Sequence, residues 1–477
     1  MSERGPRHYD VAIVGAGPVG SLCALAHARE AARVVLLEAN SGAPRRLAGE
    51  WLHPPAVETL RDFGVELASA PDSTMGRGFV VFPEDGADPI MLPYPGSSVG
   101  LACEHAVIVS SLHEAVAKEP GIDFLLGARV RAIEGERLTF TRDGAAQSVT
   151  ASRIVGADGR SSVVRRSLGL STSPMTCSLM VGVLLEDVQL PVEGYGHMLC
   201  GGPGPILIYP LGGERVRVLL DVPQERWAGP DRMEVMASSC GALMPEALRP
   251  SFVQAVRSGD YSVAANGVKP RISYGAPRRV LVGDAAGHYH PLTGVGMTLG
   301  FGDALALAES GDFGAFTRGR VQATRAPELL AMGVYEAFAD GRDEAVFLRQ
   351  AVYRGWRAGS GFRYWTTRLL ACEDTSTVRL GFSFALTVVR GIVAVVRRSY
   401  EERAWTWARA TLRSLLVRLW WLWRGFRLAY KARGAGGGGD ERARRILARA
   451  FLVSMRSGTN ETGPSGDDAD VDPVKGG

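Results

Sequence analysis

Hydrophobic and polar positions at the start of the chain predict a β-α-β unit. An apolar run from Tyr9 to Val14 is followed by GAGPVG, a helix-compatible stretch and a second apolar run that ends at Glu38. Short apolar runs closed by glycine indicate buried strands that lead into turns. In a G-x-G-x-x-G turn, the first glycine makes the tight turn, the second admits a pyrophosphate and the third packs the helix on the strand. The predicted dinucleotide contacts are Gly15, Gly17, Gly20 and Glu38.

A further apolar run, Arg279 to Val282, opens the stretch around which the chain is organised. It reads as a strand, a turn, a Gly-rich loop and a helix start. Glycines let the backbone approach a ligand, and free N–H groups at a helix start favour negative charge. A carboxylate beside such a helix start suits a flavin, and the position of the first unit favours FAD over NAD. The candidate cofactor contacts here are Gly283, Asp284, Pro291, Gly294, Gly296 and Met297.

The remaining pattern predicts a second sheet and a set of helices. Apolar and polar residues alternate along residues 77–95. Residues 178–222 form short apolar runs separated by glycine and proline, which is typical of an antiparallel meander. We expect this sheet to roof a substrate pocket, although its apolar residues could equally be core. Asp158 ends another strand, where it could cap a helix or hold the cofactor with Gly159. The predicted fold class is α/β: a Rossmann-like FAD-binding domain, an inserted antiparallel substrate sheet and a C-terminal helical, membrane-associating region.

These patterns divide the chain into discontinuous domains. We expect the FAD-binding domain in residues 1–75, 101–175 and 268–335, and the substrate domain in residues 76–100 and 176–267. Residues 336–433 form the predicted helical membrane-associating region. Residues 434–477 read as a Gly-rich linker, a short helix and a disordered tail.

Composition narrows the function classes. A net charge of +4 over 477 residues gives no nucleic-acid footprint. Six scattered cysteines without a C-x-x-C pair argue against a metal site and a disulfide framework, and fit a reducing cytosol. The polar N-terminal residues do not resemble a signal peptide. The sequence has no run of 18 or more uncharged apolar residues, so we do not expect a simple transmembrane helix.

The C-terminal third predicts contact with a membrane surface. Residues 378–433 contain 12 Lys and Arg against two Glu, with five tryptophans. An apolar stripe at helical spacing comprises Leu412, Leu415, Leu419, Leu422, Phe426 and Tyr430. A basic face, an apolar stripe and tryptophans describe a helix that lies in a membrane interface, and the alternative is a helix packed on its own domain. We expect a cytoplasmic protein that is peripherally or monotopically membrane-associated.

The chain resembles a known flavoprotein group. Its GAGPVG, GADGRSSVVRR and VLVGDAAG segments resemble the FAD-dependent monooxygenases of the aromatic-hydroxylase type. Within that group, LEANSGAPRRLAGEWLHPPAVETL, MLPYP, GPGPILIYPLGGERVRVLLD and GDAAGHYHPLTGVGMTLGF are similar to the squalene monooxygenase (squalene epoxidase) family. The resemblance covers about the first two-thirds of the chain.

The resemblance implies roles at matching positions. Arg46 and Glu50 would lie beside the FAD, although they could equally form a surface ion pair. The residues implied to face substrate are Phe79, Leu207 and Tyr209, with His290 as a structural residue or flavin neighbour at the same pocket. Three positions depart from the family: Val107 and Tyr289 replace arginines, and Phe79 replaces a tyrosine.

The resemblance also implies the chemistry. NADPH or NADH would reduce FAD, directly or through a flavin reductase. O2 would then form a C4a-hydroperoxide that transfers one oxygen to a hydrophobic alkene, with squalene and 2,3-oxidosqualene as first choice. The flavin carries this chemistry, so no catalytic side chain or metal is expected. The alternatives are a polyketide or another terpenoid substrate, a flavin-dependent prenyl-chain reductase and a non-enzymatic flavoprotein scaffold. A halogenase is disfavoured because a W-x-W-x-I-P run is missing from the sequence.

Overall fold

The computed structural model describes residues 7–42, 49–70, 72–170, 175–224, 227, 231–339, 341 and 343–402. Arg46, the predicted apolar stripe of residues 412–430 and the region 434–477 lie outside the described residues.

The described residues form eighteen strands and eleven α-helices. The strands are β1 (His8–Val14), β2 (Val34–Leu37), β3 (Trp51–Leu52), β4 (Ser73–Gly76), β5 (Gly78–Phe82), β6 (Ile90–Pro93), β7 (Gly100–Cys103), β8 (Ile122–Leu125), β9 (Arg129–Glu134), β10 (Arg137–Arg142), β11 (Ala145–Gly156), β12 (Met175–Leu185), β13 (Gly196–Leu199), β14 (Ile206–Leu211), β15 (Arg215–Pro223), β16 (Ser262–Val268), β17 (Gly275–Ala276) and β18 (Arg279–Leu281). The helices are α1 (Pro18–Arg29), α2 (Pro54–Asp62), α3 (His105–Lys118), α4 (Val163–Ser167), α5 (Arg232–Leu243), α6 (Arg249–Ser258), α7 (Gly296–Glu309), α8 (Phe313–Ala339), α9 (Asp343–Ala358), α10 (Ser360–Leu370) and α11 (Thr377–Glu402).

The first sheet brings the ends of the predicted motifs together. Its order is β17-β18-β11-β1-β2-β8, with the hairpin β9-β10 beside β11, and β18, β11, β1, β2 and β8 run parallel. Val14 pairs with Leu37 and Gly156, and Gly156 pairs with Leu281. Because the carboxyl ends of parallel strands meet at one edge, this register sets the glycine turn beside Glu38, Asp158 and the turn after β18.

The second sheet confirms the inserted antiparallel sheet. Its order is β16-β12-β15-β14-β13-β5-β6, and every neighbouring pair except β13 with β5 is antiparallel. Successive residues of β14 point to opposite faces. Ile206 and Ile208 pack into a cluster with α5 and α6, while Leu207 and Tyr209 pack into clusters on the other face. The mixed α/β prediction is therefore confirmed.

A small third sheet has the strand order β3-β7-β4, and Trp51 of β3 pairs with Ala102 of β7. It carries Glu50, Trp51 and His53 towards the second sheet, since Trp51 shares a buried cluster with Tyr209. The packing of this short element positions much of the candidate site.

The last described helix is more apolar than the sequence analysis allowed. Thr377–Arg397 of α11 form a 21-residue segment with mean hydropathy 1.7, long and apolar enough to cross a membrane by length and composition. Runs without charged residues underestimate the length of this apolar segment. Arg379 and Arg390 interrupt the uncharged run, but the segment as a whole is still apolar. Only 28% of its apolar window is buried.

Candidate flavin and substrate site

The glycine turn after β1 is fixed by close backbone packing. A Cβ at Gly20 would lie 1.8 Å from the Gly15 carbonyl oxygen, and a Cβ at Gly15 would lie 2.7 Å from the Ala157 carbonyl oxygen. Gly15 also has φ +97°, a conformation that favours glycine. A Cβ at Gly17 would meet no described heavy atom within 4 Å. Gly15 and Gly20 therefore shape the turn, while Gly17 leaves room beside it.

The peptide at Ala16 is held from both sides. Its N–H donates to Glu38 Oε2 at 2.8 Å, and its carbonyl lies 2.7 Å from His113 Nε2, which donates to it. Glu38 Oε1 accepts from the backbone N–H of Asn40 at 2.9 Å. The predicted ribose acceptor thus also fixes the turn. His113 was not predicted, because nothing in α3 marks it as a partner of a turn 97 residues away.

The N-cap of α4 is Ser162 and not Asp158, since the Ser162 hydroxyl accepts from the Arg165 N–H at 2.9 Å. Asp158 contacts the same helix start from outside the cap. Its Oδ2 accepts from the backbone N–H of Val163 at 2.6 Å at the start of α4. Its Oδ1 is buried without a hydrogen-bond partner among the described residues. Burial raises the pKa of this carboxyl. One oxygen of Asp158 therefore binds the first N–H of the helix, and the other stays available to a ligand that can donate a hydrogen bond.

The turn after β18 lies against this segment. Arg160 Nε is 3.5 Å from Asp284 Oδ2, and Arg165 donates to the Ala285 carbonyl at 2.8 Å. Gly159 and Gly283 both adopt positive φ, +71° and +57°. Asp284 is partly exposed, so its carboxylate reaches the edge where the motif ends meet.

The Gly-rich loop before α7 combines a tight turn with an open helix start. Pro291–Thr293 form a 3-10 turn, and Gly294 follows with φ +66°. A Cβ at Gly296 would meet no described heavy atom within 4 Å. The first turn of α7 carries no acidic side chain, and its second residue, Met297, is partly buried. The free backbone N–H groups at the start of α7 form an electropositive surface.

These features fit FAD. A Cβ at Gly17 or at Gly296 would meet only open space at the helix start, and Glu38 lies beside the first of these turns, where it would accept from a bound ribose. The Thr293 hydroxyl and Asp158 Oδ1 are buried polar atoms without partners among the described residues. The adenosine diphosphate half would therefore lie at Gly17 and Glu38, and the ring at Pro291 to Met297.

Glu50 forms a buried ion pair with a residue that the sequence analysis missed. Arg217 Nη2 and Nε lie 2.9 and 3.0 Å from Glu50 Oε1 and Oε2. The Tyr209 hydroxyl also donates to Oε2 at 2.9 Å. Burial and the neighbouring carboxylate raise the pKa of Tyr209 well above its usual value, so the hydroxyl remains a donor. The surface ion-pair alternative for Glu50 is wrong, because Glu50 is only 1% exposed.

The residues implied to face substrate lie together on one face of the second sheet. Phe79 and Leu207 pack between two buried clusters, one containing Leu292 of the Gly-rich loop and the other containing Tyr209. The Phe79 ring centroid lies 4.9 Å from that of Trp51 and 6.1 Å from that of Tyr94. This apolar face thus adjoins the loop assigned to the flavin ring.

His290 lies in a buried polar network behind that face. Its Nε2 is 3.0 Å from Ser178 Oγ and 3.2 Å from Asp221 Oδ1, and its Nδ1 accepts from the Leu292 N–H at 3.3 Å. The ring stacks on Tyr335 with centroids 4.1 Å apart. With 3% of its surface exposed, His290 has contacts that favour the structural interpretation over substrate contact.

The family departures have local partners. Val107 packs against the core of the first sheet, and the Tyr289 hydroxyl donates to Glu328 Oε2 at 3.0 Å.

Solved structures share this fold. The flavin-dependent brominase Bmp2 superposes with a TM-score of 0.66 at 16% identity, over 84% of this chain and 100% of its own. PqsL, a probable FAD-dependent monooxygenase from Pseudomonas aeruginosa, gives 0.54 at 20% identity, over 80% of this chain and 100% of its own. These likenesses show that the chain has the fold of these flavin-dependent proteins.

Sequence relatives define the family. The family model for squalene epoxidase matches residues 150–401. Squalene epoxidase erg1 of Aspergillus fumigatus is 28% identical, over 74% of this chain and 80% of its own. Squalene epoxidase 1 of Arabidopsis thaliana is 30% identical, over 62% and 58%. Squalene monooxygenase of Mus musculus is 28% identical, over 62% and 53%. The chain belongs to the squalene epoxidase family, and its match spans little more than half the length of the plant and mouse proteins.

Proposed function

We propose that this protein is an FAD-dependent epoxidase that inserts one oxygen atom from O2 into squalene to give 2,3-oxidosqualene. The observation that carries the proposal is the apolar face of Phe79 and Leu207, which shares a buried cluster with Leu292 of the Gly-rich loop. Such a face suits a hydrocarbon, and its position suits transfer from a flavin to an alkene. Membership of the squalene epoxidase family supports the choice of substrate.

The overall reaction balances with an external reductant. One atom of O2 forms the epoxide with the alkene, and the other leaves as water. Two electrons come from NADPH or NADH, delivered directly or through a flavin reductase. Bound FAD, once reduced, supplies the activation of O2.

The chain's own residues bind, orient and exclude water. Apolar side chains around Phe79 and Leu207 keep the reacting region dry, which limits loss of activated oxygen to solvent. The buried Glu50 carboxylate is neutralised by Arg217, so the site carries no uncompensated charge at this position. The N–H groups at the start of α7 would stabilise negative charge on a reduced ring.

The helical end supports a peripheral membrane association. Large apolar side chains of α11 are exposed: Val378, Phe382, Val389, Val393, Val396 and Tyr400. Arg379 lies over the exposed Trp365 ring of α10, 4.2 Å from its centroid. An apolar face bordered by arginines and an aromatic ring suits the interface of a bilayer. It would receive a lipid-like substrate from the bilayer.

Vesicle binding tests this association. We expect Phe382→Ser with Val393→Ser to weaken binding of the full chain to phosphatidylcholine–phosphatidylglycerol vesicles about tenfold, because two exposed apolar side chains are lost. Val235→Ser is the matched control, since Val235 is 58% exposed on α5. If the α11 variant and the control both bind vesicles as tightly as the wild type, α11 does not contact the membrane.

An epoxidation assay tests the function. The detergent-solubilised protein is incubated with FAD, NADPH, a flavin reductase, O2 and squalene, and mass spectrometry looks for a product heavier by one oxygen atom. Appearance of 2,3-oxidosqualene supports both the reaction and the substrate. Absence of product from flavin-loaded, reoxidising protein rejects squalene and directs the search to polyketide or other terpenoid alkenes. Saturation of an alkene without O2 would identify a prenyl-chain reductase.

A further inference from the structure

A chain of buried hydrogen bonds runs from the small sheet, through the residue after β6, to the Gly-rich loop. Trp51 Nε1 donates to Tyr94 Oη at 2.9 Å. Tyr94 Oη lies 2.8 Å from His53 Nδ1, and His53 Nε2 lies 2.8 Å from the carbonyl oxygen of Thr293. All four residues are less than 9% exposed. We call this series the Trp51–Thr293 relay.

The direction of every proton in the relay is determined. An indole N–H only donates, so Tyr94 Oη accepts there and its own proton points to His53. His53 Nδ1 is then the acceptor, and the ring proton lies on Nε2, which donates to the Thr293 carbonyl. Burial lowers the pKa of His53 to about 4, so the ring stays neutral at physiological pH. A single tautomer therefore holds the loop.

The relay ends where the flavin ring is assigned. Gly294 follows Thr293 with φ +66°, and a Cβ there would lie 3.3 Å from His53 Nε2. The Thr293 hydroxyl is buried without a partner among the described residues. An unpartnered buried hydroxyl beside a constrained glycine points to a ligand on the other side of the loop.

We infer that His53 is a positioning residue that sets the Thr293–Gly294 peptide for FAD. By fixing that carbonyl, His53 orients the Thr293 hydroxyl and the start of α7 towards the cofactor. The same ring lies 6.0 Å from the Phe79 ring, so the relay also supports the substrate-facing wall. This inference rests on the proposed flavin site but not on the identity of the substrate.

Affinity for FAD, measured without substrate, tests the inference. FAD is titrated into the FAD-free full chain, and quenching of its fluorescence gives the dissociation constant. His53→Leu removes the donor to Thr293, and we expect FAD to bind about tenfold more weakly with a shifted flavin absorption maximum. His53→Gln retains a donor and an acceptor, and we expect the wild-type affinity and spectrum to return. Tyr94→Phe removes the hydroxyl that fixes the His53 tautomer, and we expect its FAD affinity to lie between those of His53→Leu and His53→Gln.

The outcomes separate positioning from ordinary packing. If His53→Leu lowers the melting temperature of the FAD-free protein but leaves FAD affinity and spectrum unchanged, the residue is structural and the inference is wrong. If His53→Gln binds FAD as weakly as His53→Leu, the hydrogen bonds are not what positions the loop. If squalene is not epoxidised while FAD affinity follows the expected order, only the substrate assignment fails. A wild-type chain that binds no FAD would overturn both proposals.

Discussion

The edge of the first sheet and the buried face of the second sheet are built in different ways. At the first sheet, backbone geometry makes the site: glycines, strand ends and helix starts within short segments meet because parallel strands end together. At the second sheet, side chains make the site: Glu50 meets Arg217 across 167 residues, and Ser178 meets His290 across 112. A local motif therefore specifies the first region, whereas only the completed fold specifies the second.

The two constructions also differ in how they tolerate change. A glycine packed against backbone has no alternative occupant, because neither the backbone nor a new Cβ can move away cheaply. A buried ion pair depends on both members, so loss of one partner costs more than loss of both. Substitutions can therefore distinguish the two regions.

The largest effect is expected at the glycine turn. Gly20→Ala would place a Cβ 1.8 Å from the Gly15 carbonyl oxygen, so we expect a loss of more than about 4 kcal/mol in the free energy of unfolding. Urea denaturation of the purified protein, or its absence from the soluble fraction, measures this.

Gly17→Ala is the matched variant in the same turn. Its Cβ would meet no described atom within 4 Å, so unfolding should change by less than about 1 kcal/mol. FAD affinity should still fall at least about tenfold, because the methyl group occupies space assigned to the pyrophosphate. Equal effects of the two variants on folding would contradict the division of roles in this turn.

The next effect is expected at the buried pair. Arg217→Met leaves the Glu50 carboxylate buried with only the Tyr209 hydroxyl and no cation, so we expect a loss of about 3–5 kcal/mol. Adding Glu50→Gln removes the stranded charge and should recover more than half of the loss. Urea denaturation of the two single variants and the double variant measures the coupling.

An exposed ion pair provides the control for that series. Arg257 and Glu234 are 56% and 57% exposed at distance 2.6 Å, so Arg257→Met should leave unfolding essentially unchanged. If the double variant is no more stable than Arg217→Met, the cost arises from lost packing of Arg217 rather than from the stranded charge.

The sequence predicted the parts of the site that depend on local conformation. The β-α-β unit, the turn after β18 and the strands of the antiparallel sheet each have a signal in a continuous stretch of sequence, and the structure contains all three. Leu207 and Tyr209, which the family resemblance implied, share a face because they are two residues apart on β14. For Asp158, both a capping role and a cofactor role could be proposed. The structure gives the cap to Ser162, and one Asp158 oxygen is left without a partner among the described residues.

The parts that escaped prediction are long-range pairings of polar side chains. Arg217 lies in an apolar strand and reads as an ordinary outward-facing residue until Glu50 is placed beneath it. His53 reads as the residue before two prolines, and its role needs Tyr94 and Thr293 in space. Such pairings carry no periodicity, so only residues brought together by folding reveal them.

An effect smaller than that at the buried pair is expected at His53, which links Tyr94 to the Gly-rich loop. Its pKa is about 4 in the folded protein and near 6.5 in an unfolded chain, so acid protonates the unfolded chain first. Stability should therefore fall as the pH drops below 6.5, and His53 should contribute about 2 kcal/mol of the loss between pH 7 and pH 5. His53→Gln cannot take up this proton, so its unfolding free energy should fall less over that interval. His197 and His288, whose pKa values burial also lowers to about 4, remain in both proteins and give them a shared acid sensitivity. Urea denaturation of both proteins at pH 7 and pH 5 measures the difference. If the unfolding free energies of wild type and variant fall equally over this interval, His53 accepts a proton in the folded state as readily as in the unfolded chain. The Trp51–Thr293 relay would then not hold His53 in a single neutral tautomer.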